Sequence, residues 1–208
     1  MIDPPPGGQT ASMRRLCVLH HRHSEWVPAL REAEPRLDIR GWHPRAEDSV
    51  DAGWLAGAEG LFCWRLPAGF LARMPALAWV QNSGAGVDHL IADPSIPAAV
   101  PITRADGQFG FWMARYVLAH LLHRAQRLDA CRDAQAEGVW NPRLIPEDLW
   151  GERALVLGFG RIGRRIGEAL RAIGMEVTGL VRTLRPDPDF PLATAAELPA
   201  LLPDARLL

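Results

Sequence analysis

The sequence predicts an α/β protein in which a flavodoxin-like domain is followed by part of a second, doubly wound domain. Three observations carry this. Short apolar runs alternate with helical stretches from residue 14 to about residue 106, the pattern of parallel layering. A long stretch of helical periodicity follows over 111–133. Beyond it, Gly158, Gly160 and Gly163 stand between an apolar strand and a helix.

Taken in order, residues 1–12 carry Pro4, Pro5, Pro6, Gly7 and Gly8 and no apolar run long enough for a signal peptide or a membrane span. They are expected to be a disordered lead-in. The first domain, 13–106, has candidate strands at 16–19, 37–41, 60–64, 78–81 and 101–103. Helices are expected at 25–34 and 69–74, each stopped by a following proline. Over 111–133, Met113, Val117, Leu121, Leu128 and Cys131 recur near helical spacing, so one face of a bridging helix should be buried while Arg124, Arg127 and Arg132 stay in water. The second domain, 107–208, takes in this helix, a loop through Gly138, Trp140 and Pro142, and a strand–helix–strand unit from Arg153 onward.

Composition excludes several function classes. With 48% hydrophobic and 23% charged residues and a formal net charge of −1, the 208-residue chain has no electrostatic footprint for nucleic acid or a membrane surface. Small molecules and copies of itself are the expected partners. All 23 basic side chains are Arg, so neither Schiff-base chemistry nor a phosphate loop of the G-K-[ST] type is available. Cys17, Cys63 and Cys131 are odd in number and set among apolar neighbours, which predicts buried free thiols in a reducing compartment, and hence a cytoplasmic protein.

The chemistry concentrates in the glycine turn. Residues 154–157 form a short apolar strand, and Gly158-Phe159-Gly160-Arg161-Ile162-Gly163 leads directly into a helical stretch at 164–173. Gly158 permits a tight turn, Gly160 lets the backbone approach a diphosphate, and Gly163 lets helix and strand pack closely. The helix N-terminus adds unpaired N–H groups and partial positive charge. A second strand at 176–181 completes the unit, so these six residues are candidate coenzyme contacts in a Rossmann fold. About twenty residues past the glycines, an NAD site carries an acidic residue for the ribose 2′-hydroxyl. This chain has Leu180-Val181-Arg182-Thr183 there. Arg182 and Thr183 would hold a 2′-phosphate that a carboxylate would repel, which predicts a preference for NADP(H), with NAD(H) possible. Arg185 either assists or is a solvated loop charge.

These residues, with Asn82-Ser83-Gly84-Ala85-Gly86-Val87-Asp88-His89 and Met113-Ala114-Arg115-Tyr116-Val117-Leu118, resemble the D-isomer-specific 2-hydroxyacid dehydrogenases, and within them the glyoxylate/hydroxypyruvate reductases. The resemblance implies that the Ala85 and Gly86 amides bind a substrate carboxylate, aided by unusual backbone angles at Gly84 and Gly86. It also implies that Met113 lies near the nicotinamide and that the full-length parent is a homodimer reducing a small 2-oxo acid. The family usually has Glu where this chain has Arg115. Arg65, after Trp64 at a strand end, is a candidate to line the same cleft.

The resemblance further implies a His general acid, a Glu that tunes it and an Arg that grips the carboxylate. None of the three is matched within the chain, so no catalytic residue is assigned. The chain is expected to be a fragment of such an enzyme, with a non-catalytic nucleotide-binding or oligomerisation remnant as the alternative. Three imidazoles as close as His20, His21 and His23 could bind a transition metal, but no paired Cys or carboxylate stands nearby, so a strand-end loop is expected there and no metal site. His120 and His123 are expected to be partly buried in packing.

Overall fold

The computed structural model describes residues 14–208; the lead-in expected at 1–12 lies outside the described residues. The chain forms two compact units that divide between Asp106 and Gly107.

In the first unit the chain runs through β1 (Arg14–Leu19), α1 (His23–Ala33), β2 (Leu37–Trp42), α2 (Ala52–Ala56), β3 (Gly60–Cys63), β4 (Trp79–Asn82), α3 (Asp88–Ile91) and β5 (Ile102–Arg104). All pairings are parallel, in the order β2-β1-β3-β4-β5, which is the flavodoxin-like order. The alternation of side chains along β1 divides the core. Leu16 and Val18 pack with Val27 of α1 and Ile39, whereas Cys17 and Leu19 pack with Trp54, Leu55, Leu61 and Val80 on the other face. Both faces are therefore covered, and β1 reads as an uninterrupted apolar run.

The second unit contains α4 (Gln108–Ala125), α5 (Leu128–Ala136), β6 (Arg153–Leu157), α6 (Arg161–Ala172), β7 (Glu176–Val181), β8 (Leu192–Thr194), α7 (Leu198–Leu201) and β9 (Ala205–Leu207). Its parallel sheet has the order β8-β7-β6-β9, the first four positions of a doubly wound dinucleotide fold. Ala154 and Val156 meet Phe159, Leu170, Val117 and Leu121 on one face, while Leu155, Leu180 and Ala193 meet Leu198 and Leu201 on the other. Beside β9, Val117, Leu121, Ile166 and Leu207 line an apolar groove of about 510 Å³.

Several expectations are corrected. The helix expected at 69–74 is a single 3-10 turn, Phe70–Arg73, entered through Gly69 at φ 77°. The helix expected over 111–133 is two helices. A continuing helix would need the Ala125 carbonyl to accept from residue 129, but the Glu147 amide occupies it at 2.8 Å, and Arg127 turns to φ 54°. The buried face accordingly ends at Ala125, leaving Leu128 and Cys131 exposed, and Met113 is 40% exposed further up the helix. Of the three cysteines only Cys17 and Cys63 are buried, and burial pushes both thiols up to about 12. His120 is exposed rather than partly buried, beside the Tyr116 ring at 4.4 Å. Among the described residues no helix is long and apolar enough to cross a membrane.

Candidate functional site

At the end of β6 the chain turns through Gly158 at φ 87°, a conformation that favours glycine. The Gly158 and Phe159 amides both donate to the Leu180 carbonyl at 3.0 Å, which ties the turn to the neighbouring strand β7. The Gly160 amide donates back to the Gly158 carbonyl at 2.8 Å. These three N–H groups are thus spent inside the protein. The first backbone bond of α6 runs from Arg164 to the Gly160 carbonyl at 2.8 Å, so the donors facing outward belong to the first turn of α6.

The glycines differ in what they do. A Cβ on Gly160 would meet nothing within 4 Å, so the approach to the turn is open at that point. On Gly163 it would lie 2.3 Å from the Gly158 carbonyl oxygen, so this glycine allows helix and turn to touch. The Phe159 side chain is only 2% exposed and packs edge-on against Phe190 at 5.0 Å, directly over Gly179. It belongs to the core, and only its backbone reaches the site.

Leu157, Gly158, Gly160, Val181, Arg182 and Arg185 wall an open pocket of about 630 Å³. Arg182 and Thr183 follow β7 directly and are exposed, and no carboxylate lines this pocket among the described residues. Arg185 is held across the turn, its guanidinium donating to the Phe159 carbonyl at 2.9 Å. Of the other candidates, Arg161, Ile162, Gly163, Thr183 and Met113 lie outside this wall. The fit to a phosphate-bearing coenzyme is chemical: a glycine side free of Cβ and the guanidinium groups of Arg182 and Arg185 share one hollow, and the first turn of α6 follows directly on Gly160 in sequence.

The first unit gathers a second constellation at the carboxyl ends of its strands. Asn82, fully buried at the end of β4, donates through Nδ2 to the Gly84 carbonyl at 3.0 Å and the Gly86 carbonyl at 2.6 Å. Arg104 at the end of β5 donates to the Ala85 carbonyl at 3.2 Å, and the Ala105 amide also reaches the Gly84 carbonyl at 3.2 Å. Every carbonyl from Gly84 to Gly86 thus has a donor. Oδ1 of Asn82 is buried and has no hydrogen-bond partner among the described residues. The Trp64 ring lies where a Cβ on Gly84 would stand, 1.7 Å away, and the Trp64 carbonyl pairs with His89 Nε2. Neither Gly84 nor Gly86 has a positive φ, which corrects the expected backbone angles; Gly84 is required by the close approach of Trp64. Arg65 is exposed on the same rim, after β3.

Two residues of these constellations escaped the sequence reading. Asn82 carried a signal, a polar residue ending an otherwise apolar strand, whereas Arg104 carried none. The histidine run holds no metal cluster among the described residues. His20 is buried and stacks on Trp26 at 4.3 Å, with Nδ1 accepting the Arg22 amide at 3.1 Å. Burial, followed by the charges of His21, Arg22 and His23, lowers its pKa to about 4.

Residues 118–208 match the family model described as D-isomer specific 2-hydroxyacid dehydrogenase, NAD binding domain. The chain is 29% identical over 191 residues to glyoxylate/hydroxypyruvate reductase A of Citrobacter koseri, covering 88% of this chain and 58% of that protein. A crystal structure of a D-isomer specific 2-hydroxyacid dehydrogenase family protein from Aeromonas salmonicida superposes with a TM-score of 0.80 at 27% identity, over 93% of this chain and 62% of that one. Another, the D-isomer specific 2-hydroxyacid dehydrogenase from Xanthobacter autotrophicus Py2 in complex with NADPH and MES, superposes with a TM-score of 0.77 at 31% identity, over 93% and 62%. The chain therefore spans roughly three-fifths of the length of the relatives it matches, 58% in the first case.

Proposed function

We propose that this chain, a relative of the D-isomer specific 2-hydroxyacid dehydrogenases, forms the coenzyme- and substrate-binding part of an NADPH-dependent reductase of a small 2-oxo acid, of the glyoxylate or hydroxypyruvate type. In this reading 107–208 take the coenzyme and 14–106 the acid. One observation carries it: Arg182, the residue after β7, stands beside the glycine turn that leads into α6, in a pocket with no carboxylate lining it among the described residues, and Thr183 is next in sequence. When bound, the coenzyme supplies the hydride.

The residues of the chain bind and orient. The first turn of α6 takes the diphosphate, Arg182 and Thr183 the 2′-phosphate, and Met113 flanks the nicotinamide. In the first unit the Ala85 and Gly86 amides face the substrate carboxylate, since the carbonyls of this loop are already occupied, and Arg65 adds positive charge at the rim. We assign no residue of the chain to the proton-donating His, its Glu or the carboxylate-gripping Arg. By the same likeness the full-length parent is a homodimer, and its free thiols suit a reducing, cytoplasmic compartment.

The test is titration of the chain with NADPH and NADH. NADPH should bind more tightly, and Arg182→Asp should weaken NADPH by about 10- to 100-fold while changing NADH little. An unchanged ratio overturns the coenzyme assignment. The chain alone should bind NADPH without oxidising it in the presence of glyoxylate.

A further inference from the structure

We propose that Asp187 and Arg164 are positioning residues for coenzyme selectivity, clamping the segment after β7 so that Arg182 and Arg185 are presented at the pocket wall for a 2′-phosphate. The inference rests on the coenzyme reading above and adds a cause for it. Two exposed arginines on a loose segment would give poor selectivity, because each guanidinium must lose rotamer and backbone freedom on binding. The structure shows why this segment is not loose.

Arg164 sits in α6, one residue past the glycine motif. Its guanidinium meets Asp187 Oδ2 at 2.5 Å, pairs also with Asp189, and lies 3.5 Å from Glu168 Oε1. The Asp187 side chain is only 7% exposed. Its other oxygen accepts the Asp189 amide at 3.0 Å and the Phe190 amide at 3.1 Å. Those amides, with Arg164, hold the Asp187 carboxyl below the usual carboxylate range. Arg171 donates to the Asp189 carbonyl at 2.9 Å, and Arg164 and Arg171 both lie over the Phe190 ring, at 5.3 and 4.3 Å. The segment is thus fixed by β7 at one end and by α6 at the other, while Arg185 in its middle is tied to the Phe159 carbonyl.

Charge gives a second reason for the clamp. Asp187 and Asp189 are two carboxylates only a few residues from a site that must accept an anion. Arg164 pairs with both, and its single positive charge offsets part of theirs. Charge and position then predict opposite outcomes for one substitution. If net charge alone mattered, Asp187→Asn would tighten phosphate binding; if position decides, it loosens it.

The experiment measures dissociation constants of the 208-residue chain for 2′,5′-ADP and for 5′-AMP, which differ only in the 2′-phosphate, by calorimetry. The parent should prefer 2′,5′-ADP. Asp187→Asn and Arg164→Gln should each cut that preference by about five- to tenfold with 5′-AMP affinity held within about twofold. Asp187→Glu should recover part of it. A melting curve establishes that each variant is folded. Should Asp187→Asn not fold, Arg164→Lys carries the same test, because it keeps the positive charge and loses the forked grip on both carboxylates: position predicts a reduced preference and charge alone an unchanged one. A folded variant with the parental ratio, or with both ligands weakened equally, overturns the clamp alone. A parent with no preference defeats the coenzyme reading, and the clamp with it.

Discussion

Gly160 and Gly163 stand three residues apart in one motif, yet the surroundings of each Cβ assign them opposite duties. At Gly160 an added methyl points into open space, so Gly160→Ala should leave the urea midpoint unchanged while blocking the coenzyme's approach. At Gly163 the methyl would strike a backbone oxygen 2.3 Å away, and Gly163→Ala should cost about 1–3 kcal/mol of stability whether or not coenzyme is present. Paired denaturation and NADPH titrations of the two variants check this; a stable Gly163→Ala chain would contradict the packing role. The sequence made these two duties legible because glycine spacing is itself a geometric statement. It did not make Phe159 legible, since a residue inside a binding motif gives no sign that its ring is turned into the core. Nor did it reveal Arg104 as a tether, because its bond to the Ala85 carbonyl comes from a different strand, whereas Asn82, ending an apolar strand beside the loop that it holds, left a signal.

Strands were the easiest elements to read, because parallel strands covered on both faces appear as short unbroken apolar runs. All five expected strands of the first unit form, with ends shifted by one or two residues. Helices were harder where a competing hydrogen bond decides. The apolar spacing continues past Ala125, but the Glu147 amide takes the carbonyl on which the next turn depends. Arg127 then adopts φ 54°, a region costly for any residue with a Cβ. Arg127→Gly should therefore stabilise the second unit, by about 0.5–1 kcal/mol after the larger unfolded-state entropy of glycine is set against the relieved strain. Guanidinium unfolding measures this directly. A loss of stability would mean that the Arg127 side chain contributes more than its backbone costs.

In each unit a parallel sheet places its candidate site at the carboxyl ends of its strands, where open α/β sheets bind ligands. The units should differ in acid. His20 in the first unit is held neutral by burial, with a pKa lowered from 6.5 to about 4. The unfolded chain therefore takes up this proton first as pH falls, and stability is lost between pH 6.5 and about 4, levelling off below. After allowance for solvent at the ring edge, the loss is on the order of 2 kcal/mol. Unfolding followed through Trp26, which stacks on His20, should show the midpoint falling across that window, and His20→Gln should flatten the fall. A flat profile in the parent would place the ring in a wetter setting than the stacking indicates. The tethered loop between β4 and α3 has a different consequence. With the carbonyls of Gly84, Ala85 and Gly86 each engaged before any guest arrives, its shape is paid in advance by folding, so a carboxylate bound there as proposed would meet little entropic resistance from the host and chiefly forfeit its own water.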